Sequence, residues 1–328
     1  MDFVKLFEQF RGLRAIVVGD LMLDEYLWGR VDRISPEAPV PIVQLTGKDH
    51  RIGGAGNVAL NLAALGANVS MVSVTGVDPE GDMLRRMLSS SGIGVGDMLS
   101  VSGRVTTAKT RVISRNQQML RIDHELTDPI DDKTERALIQ LINLRLEQNP
   151  PDVLIFEDYD KGVLTERLIR EITDRCKALG VITAVDPKRR NFFAYSGVDI
   201  FKPNLKEVRE GLALDADPVS ESALLEADRS LRATLHHIYS FITLSDKGVF
   251  HADGHHAELI PSHMRNISDV SGAGDTVIAV AALVFAATRD MGLAARMANI
   301  AGGLVCEEVG TVAIDPTRLL HECIRLIP

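Results

Sequence analysis

Six short apolar runs, each about the length of a single strand, recur along this 328-residue chain. They cover residues 14–20, 68–76, 152–158, 181–187, 199–204 and 238–245. Helical patterns lie between several of them, for example the amphipathic stretch 132–148. This alternation predicts a three-layer α/β/α fold with a mostly parallel central sheet. Ligands bind at the carboxyl ends of strands in such sheets, and four polar residues lie at or next to the ends of these runs: Asp20, Asp158, Asp186 and Asn204.

Two segments interrupt the alternation of strands and helices. Residues 25–52 contain three prolines among β-forming residues, and residues 103–123 have the pattern of strands without a crossover helix. Such segments are poorly suited to a buried parallel sheet. No internal repeat, low-complexity tract or Pro/Gly/Ser-rich linker is visible. The sequence therefore predicts one domain over residues 1–328, with both segments as insertions.

The charge and hydropathy of the chain limit its partners. A formal net charge of −9 argues against nucleic acid or an anionic membrane as the main partner, although a local basic pocket stays compatible with it. The first twenty residues alternate charged and apolar side chains and lack the apolar core of a signal peptide. No later stretch approaches the length of a membrane span. We therefore expect a cytoplasmic protein that binds neither nucleic acid nor a membrane.

Residues 269–275, Asp-Val-Ser-Gly-Ala-Gly-Asp, precede Thr276 and a smooth apolar run that has the pattern of a helix. Small residues at a helix start leave backbone N–H groups and the positive end of the helix dipole free to hold an anion, with Asp275 beside them. This arrangement favours phosphoryl transfer. A glycine-rich turn capped by Asp269 or Ser271 is the simpler explanation of an isolated Gly-x-Gly, so other parts of the sequence have to decide.

Three motifs in a fixed order provide that decision. They are Gly53-Gly54 within RIGGAGNVALNLAALGA, Asn204-Leu205-Lys206-Glu207 after Phe-Lys-Pro, and the segment 269–275. Together they resemble the ribokinase-like carbohydrate kinases, a family often named after the minor bacterial phosphofructokinase, over nearly the whole chain. Residues 17–42 and EDYDKG at 157–162 are most similar to the branch that phosphorylates D-glycero-β-D-manno-heptose 7-phosphate, for lipopolysaccharide core synthesis.

The resemblance implies an ATP-dependent sugar kinase in which Asp275 is the catalytic base. A carboxylate that merely favours the helix start is the structural alternative for this residue. The implied anion hole is the backbone of Gly272, Ala273 and Gly274. The implied fold is ribokinase-like, with the interrupting segments forming a small β-lid over the sugar site. Because this lid often makes the dimer contact in the family, we expect a homodimer.

For the nucleotide, the resemblance implies that Asn204 and Glu207 order Mg²⁺ and the phosphates through water, without a direct protein cage for the metal. An Asn followed three residues later by Glu is also a capping box, and both roles are compatible. The other nucleotide-site residues that it implies are Lys202, Thr243, Ser245, Gly248 and Asn299. A hairpin turn alone would explain Gly248, and a helical Asn is ordinarily a partly exposed side chain. ATP and Mg²⁺ are thus the expected cofactors, with potassium near Asp269 left open.

For the sugar, the carboxylates of Asp20 and Asp24 after the first strand can accept hydrogen bonds from vicinal hydroxyls, and the resemblance favours Asp24, followed by Asp20. Turn and cap chemistry is the alternative explanation for them. The implied sugar contacts also include Gly53, Gly54 and Asn57. A sugar phosphate needs cationic donors, although exposed basic residues are often only solvated. The candidates are Lys109, Arg111, Arg121, Lys161 and Lys188.

The expected reaction is phosphorylation of the anomeric hydroxyl of the heptose 7-phosphate to give the 1,7-bisphosphate. The alternatives are another family member (ribokinase, fructokinase or a phosphofructokinase) and a catalytically silent sugar- or nucleotide-binding regulator. An intact Asp275 disfavours the regulator, because a binding module needs no base. Since the chain ends shortly after the expected last kinase helix, the sequence also predicts no nucleotidyltransferase activity.

Overall fold

The protein is described here by a computed structural model that covers residues 1–115 and 117–327. In this part of the chain, strands form two sheets. The strands are β1 (Arg14–Gly19), β2 (Leu21–Ile34), β3 (Pro41–Gly54), β4 (Asn68–Gly76), β5 (Gly94–Val101), β6 (Thr107–Ser114), β7 (Gln117–His124), β8 (Val153–Glu157), β9 (Ile182–Asp186), β10 (Ile200–Phe201), β11 (Tyr239–Thr243), β12 (Val249–Ala252) and β13 (Ala257–Ile260).

The helices lie between these strands and at the two ends of the described chain. They are α1 (Phe3–Phe10), α2 (Ala55–Ala64), α3 (Pro79–Ser90), α4 (Asp132–Gln148), α5 (Glu166–Leu179), α6 (Leu205–Gly211), α7 (Glu221–Leu235), α8 (Ala273–Thr288), α9 (Met291–Val305) and α10 (Pro316–Leu326). The amphipathic stretch predicted to be helical is α4, which is capped by the Asp131 side chain. None of the described helices is long and apolar enough to cross a bilayer.

The central sheet has nine strands in the order β13-β12-β11-β10-β9-β8-β1-β4-β5. Pairing is parallel from β11 to β5 and antiparallel only at the β11-β12-β13 edge. Strands β8 and β9 are buried at every residue, which explains why they read as continuous apolar runs rather than alternating ones. The predicted three-layer fold with a mostly parallel sheet is confirmed.

Helix α8 runs through the interior of one layer. Every residue from Asp275 to Phe285 is buried, so the helix is apolar on all sides, as expected for a helix surrounded by other elements. It packs against α2, α9, β8 and β9. Its first turn lies at the edge of the sheet where β8 and β9 end, because Tyr159, two residues after β8, hydrogen-bonds Asp275, and Gly274 lies against Asp186, the last residue of β9.

The second sheet has the order β3-β2-β6-β7 and contains most of the two segments that interrupt the alternation. Strand β2 begins two residues after β1 ends, which ties this sheet to the carboxyl end of β1. In its register, Asp24 on β2 lies opposite Arg51 on β3 and Lys109 on β6. This sheet therefore presents charged side chains from three strands in one row, next to the end of β1.

Candidate active site

The start of α8 lacks a side-chain cap. Its N-cap is Gly272, with a φ of 77°, and no side chain accepts a capping hydrogen bond from the backbone N–H groups of the first turn. A Cβ at this position would lie 2.6 Å from the Asn57 Nδ2 atom, so only glycine fits both the backbone conformation and the space. The N–H groups of Gly274 and Asp275 have no intrahelical partner at this position. Of the segment Gly272 to Gly274 predicted to form an anion hole, Ala273 instead donates its N–H to the Val270 carbonyl at 3.3 Å. The available donors are therefore those of Gly274 and, one residue later, Asp275.

Asp275 is 3% exposed and receives two side-chain hydrogen bonds. Asn57 Nδ2 donates to its Oδ2 atom at 2.8 Å, and the Tyr159 hydroxyl donates to its Oδ1 atom at 2.6 Å. Burial raises the pKa of Asp275, while these two donors lower it and the negative charge of Asp186 raises it again. The orientation of the carboxyl group is therefore fixed by one hydrogen bond to each of its oxygens, and its proton affinity is raised, as suits a general base.

Asn57 is itself positioned by a residue that sequence analysis did not identify. Asn61, one turn later on α2, donates from Nδ2 to the Asn57 carbonyl oxygen at 2.8 Å. Its Oδ1 atom accepts from the hydroxyl of Thr276 and from the backbone N–H of Ile314. This buried amide connects α2, α8 and the segment before α10. The i, i+4 spacing of the two asparagines was the available signal.

A buried charge cluster lies beside the start of α8. Lys202 is 2% exposed and pairs with Asp186 at 2.8 Å, and Lys188 joins Asp186 to Glu207 at 2.9 Å each. A Cβ on Gly274 would lie 3.6 Å from Asp186 Oδ2 and 3.8 Å from Lys202 Nζ, which places the cluster against the candidate anion hole. Two ammonium groups therefore supplement the backbone donors there.

The carboxylates keep Lys188 charged. Burial favours the neutral amine, but Asp186 and Glu207 hold the pKa of Lys188 well above its ordinary value. Burial likewise disfavours an ionised Asp186, yet Lys188 and Lys202 hold the pKa of this carboxyl below its ordinary value. The sequence grouped Lys188 with the sugar-phosphate candidates, whereas its ion pairs also connect it to the nucleotide candidate Glu207.

Asn204 and Glu207 form the capping box that was the alternative explanation for them. Asn204 accepts the Glu207 N–H at 2.9 Å, and Glu207 Oε2 accepts the Asn204 N–H at 2.8 Å, which leaves Oε1 for Lys188. Burial and Asp186 raise the pKa of Glu207. The described residues contain no cluster of three or more metal-ligating side chains. The donor set fits a Mg²⁺ ion held by phosphates and water, because that ion keeps several of its waters in such sites.

The remaining nucleotide candidates lie around β11 and α9. Thr243 pairs with Asn204 in an isolated parallel bridge. Ser245 and Gly248, both with positive φ, form the turn between β11 and β12, so the hairpin accounts for their conformation. The Asn299 side chain donates to the Pro261 carbonyl at 2.8 Å and thereby holds the chain just after β13.

Asp24, Gly53 and Arg111 are brought together on the second sheet. Asp24 is 4% exposed and pairs with Arg111 at 2.5 Å, and a Cβ on Gly53 would lie 2.4 Å from its Oδ2 atom. Gly54, the N-cap of α2, has a φ of 59°. This group of residues connects the second sheet to the start of the helix that carries Asn57.

Asp20 holds the loop that follows β8. Its carboxylate accepts the backbone N–H groups of Tyr159, Lys161 and Val163 at 2.9, 3.0 and 3.0 Å, and the residue is 1% exposed. The sequence grouped Asp20 with Asp24 as a sugar contact. Because its oxygens face the backbone of this loop, we expect Asp20 to act on the sugar site through the loop.

The basic candidates divide into two groups. Lys109 and Lys188 place their ammonium groups 5.6 and 5.3 Å from the centre of the Tyr159 ring, and Lys161 pairs with Glu125 at 2.8 Å. Burial lowers the pKa of Lys109, a cost that a bound phosphate would offset. Arg121 is instead exposed and hydrogen-bonds Asp123.

Glu157 is a second residue that sequence analysis assigned no chemistry. It ends β8 with no exposed surface, and neither carboxyl oxygen has a hydrogen-bond partner. Burial, followed by the charges of Asp186 and Asp275, holds its pKa well above the ordinary value. Glu157 and Tyr159 both lie in the EDYDKG segment, where sequence analysis assigned a phosphate-binding role to Lys161 but none to these two residues.

Comparison with known proteins identifies the family. The sequence model described as pfkB family carbohydrate kinase matches residues 13–318. The protein named bifunctional protein HldE from Geotalea uraniireducens is 40% identical over 323 residues, which are 98% of this chain and 65% of that protein. HldE from Citrifermentans bemidjiense is 42% identical over 96% of this chain and 64% of its own length. The chain thus spans slightly less than two thirds of these relatives.

Solved structures share the fold at low sequence identity. Phosphofructokinase-2 from Escherichia coli in complex with potassium superposes with a TM-score of 0.78 at 17% identity, covering 95% of this chain and 100% of that one. Ribokinase from Arabidopsis thaliana complexed with ribose and ATP gives 0.73 at 16% identity, covering 94% and 98%. The central sheet and its helix layers are therefore those of ribokinase and phosphofructokinase-2.

Proposed function

Because the chain belongs to the pfkB family of carbohydrate kinases, we propose that it transfers the γ-phosphoryl group of ATP to D-glycero-β-D-manno-heptose 7-phosphate. The acceptor is the anomeric hydroxyl, and the product is the 1,7-bisphosphate, a precursor for the lipopolysaccharide core. The observation that carries this proposal is the buried Asp275 carboxylate, held on both oxygens at the first turn of α8.

Asp275 is the base in this proposal. It takes the proton of the sugar hydroxyl as that oxygen attacks the γ-phosphorus in line, and the bond to the ADP oxygen breaks. Since Asn57 and Tyr159 fix the carboxylate, the base is oriented before the substrate arrives, which lowers the entropic part of the barrier.

Charge on the transferring group is stabilised by the backbone N–H groups of Gly274 and Asp275 and by the ammonium groups of Lys188 and Lys202. ATP and a divalent metal follow from the family. We propose Mg²⁺, which neutralises triphosphate charge when bound, with Glu207 and Asn204 as contacts through water. The potassium in the phosphofructokinase-2 complex suggests the same ion for this chain, near Asp269.

The heptose assignment rests on the segments 17–42 and 157–162 and is supported by the identity of about 40% to bifunctional HldE proteins. The second sheet suits a phosphorylated sugar. Asp24 offers carboxylate oxygens to hydroxyls, and Lys109 and Lys161 supply positive charge around the loop after β8. The partly desolvated ammonium of Lys109 is suited to a phosphate, because an unpaired buried cation is costly.

The test is ATP-dependent ADP release with heptose 7-phosphate, fructose 6-phosphate, ribose and fructose as acceptors. We expect kcat/KM for the heptose phosphate to exceed the values for ribose and fructose by about a hundredfold, since a site built around a phosphate rejects sugars that leave its cations unpaired. Fructose 6-phosphate carries a phosphate, so it tests the contacts to the rest of the sugar, and we expect it to be the poorer acceptor of the two phosphorylated sugars. Lys109→Ala should raise KM for the heptose phosphate, whereas Arg121→Ala, which changes an exposed lid cation, should leave it nearly unchanged. Preference for another sugar would retain the kinase and refute the heptose assignment; sugar binding without turnover would favour the silent regulator.

The expected homodimer through the second sheet has a structural basis in its outer face. Leu27, Val112 and Leu120 form one cross-strand row, and Leu120 is 55% exposed. Burying this row in a partner would recover apolar contact area. Sedimentation should therefore report a dimer that Leu120→Glu dissociates. Leu179→Glu, at an exposed apolar position on α5, is the matched control and should stay dimeric; a monomeric parent would contradict the proposal.

A further inference from the structure

Tyr159 occupies an unusual position for a tyrosine side chain. It follows β8 by two residues, and its hydroxyl reaches the Oδ1 atom of Asp275 at 2.6 Å, although 116 residues separate the two in sequence. The distance is that of a short, charge-assisted hydrogen bond, the strong kind. No other side-chain hydroxyl of the described residues donates to Asp275.

Both ends of the Tyr159 residue are held. Its backbone N–H donates to Asp20 at 2.9 Å, so a buried carboxylate fixes its Cα position. Its ring lies near two ammonium groups, with Lys109 Nζ at 5.6 Å and Lys188 Nζ at 5.3 Å from the centroid. Cation–π attraction at these distances stabilises the ring orientation. Tyr159 thus connects the second sheet, the charge cluster at Asp186 and the base.

We propose that Tyr159 is a positioning residue that keeps Asp275 ionised and oriented for proton abstraction. The inference rests on the proposed function, in which Asp275 is the base. A carboxylate has about two acceptor sites on each oxygen, so the single bonds from Tyr159 and Asn57 leave a site on each oxygen for an incoming hydroxyl. Tyr159 therefore remains bound to Asp275 during the reaction, and its hydroxyl does not take the substrate proton.

The charges around Asp275 explain why such a donor is needed. The negative charge of Asp186 disfavours the ionised form of Asp275, and Glu157 is a second buried acid close to it. Lys188 is the cation that favours the ionised form of Asp275. Burial raises the pKa of Asp275, and the Tyr159 hydrogen bond lowers it. Burial, followed by the charge of Asp275, holds the pKa of Tyr159 well above its ordinary value, so the hydroxyl stays protonated and able to donate.

The test is the pH dependence of kcat/KM in Tyr159→Phe, which removes one oxygen atom. A base works in its ionised form, so activity falls as the pH drops through its pKa. Without the Tyr159 donor that pKa rises, and the acid limb of the profile moves to higher pH. We expect kcat/KM to fall about tenfold at about pH 6 and to stay within about threefold of the parent at about pH 9. A purely structural role would lower both values by the same factor.

Tyr195→Phe is the matched control. The Tyr195 hydroxyl donates to Asp158, the residue before Tyr159, at 2.7 Å. This variant therefore also removes a tyrosine hydroxyl from a buried hydrogen bond to a carboxylate, but not from the bond to Asp275. Its pH profile should match that of the parent. Because Glu157 also faces Asp275, the Tyr159 comparison is repeated in a Glu157→Gln background, where the shift of the acid limb should persist.

A second variant varies the donor strength without removing it. A fluorinated tyrosine at position 159 has a more acidic hydroxyl and donates more strongly, so it should move the acid limb to lower pH, opposite to phenylalanine. Parallel profiles for the parent and both variants, or an equal shift in Tyr195→Phe, would overturn the inference while leaving the kinase intact. A parent without sugar kinase turnover would overturn both the proposed function and the inference.

Discussion

Replacing Asp275 by asparagine should lower kcat about a thousandfold, with little change in the KM for either substrate. The substitution removes the proton acceptor and preserves the size of the side chain, and general-base catalysis contributes roughly this factor. Because the carboxylate is needed as the hydroxyl oxygen attacks, the loss falls on the chemical step rather than on ground-state binding. Steady-state ADP release at saturating sugar and ATP measures it directly.

Stability provides the control for this variant. Burial raises the pKa of Asp275 above the unfolded value, so its contribution to stability is fully present below the unfolded pKa and is lost as the pH rises through the folded pKa. At neutral pH an uncharged asparagine should therefore cost less than about 1 kcal/mol in the free energy of unfolding. A kcat within tenfold of the parent would contradict the base assignment, and a large fall in Tm would attribute lost activity to unfolding.

The fold could be predicted closely because local patterns determine it. Buried parallel strands must be continuously apolar, so β1, β4, β8, β9 and β11 stand out as runs, and α4 shows its helical period. The insertion of the second sheet was visible because prolines and alternating residues are incompatible with a buried parallel strand. The division into one domain with two lid segments remains a prediction.

Only those residues of the candidate site that belong to short sequence motifs with a recognisable chemical use could be proposed from the sequence. Gly272 to Asp275 could be proposed as a site because small residues at a helix start can hold an anion, and because two further motifs favoured that interpretation over a simple turn. Tyr159 could not, since its hydroxyl acquires meaning only from a contact 116 residues away. Asp20 was identified as a polar strand end, but its three backbone partners lie 139 to 143 residues along the chain. A single sequence contains no information on such pairings.

The geometry also changes how the charged residues are grouped. The sequence separates sugar candidates from nucleotide candidates, but Lys188 pairs with Glu207 and also lies near the Tyr159 ring. One lysine therefore contacts groups on both sides of the base. In a phosphoryl transferase such a residue can interact with both substrates, because the phosphate of either one changes the electrostatic potential at its ammonium group.

Asp20→Ala should give the second large effect, because three backbone N–H groups, of which that of Val163 is buried and those of Tyr159 and Lys161 are partly buried, lose their acceptor. Each unsatisfied buried donor costs about 1–3 kcal/mol, so we expect the free energy of unfolding to fall by about 3 kcal/mol or more. Chemical denaturation measures this loss. Asp199→Ala is the matched control: Asp199 accepts the N–H and hydroxyl of Thr183 next to the start of β10, away from the strand ends that form the site. It should destabilise the protein without changing kcat of the folded enzyme.

The kinetics of Asp20→Asn then decide between the two roles of this carboxylate. If Asp20 bound the sugar, the milder substitution would raise KM for the sugar and leave kcat and its pH dependence unchanged. If Asp20 acts by holding the loop, the displaced Tyr159 weakens its bond to Asp275, so kcat/KM falls most at low pH, as in Tyr159→Phe. We expect the second pattern, because all three loop N–H groups converge on this one side chain. An increase confined to the sugar KM would restore Asp20 to the sugar contacts and leave the loop to be held by other bonds.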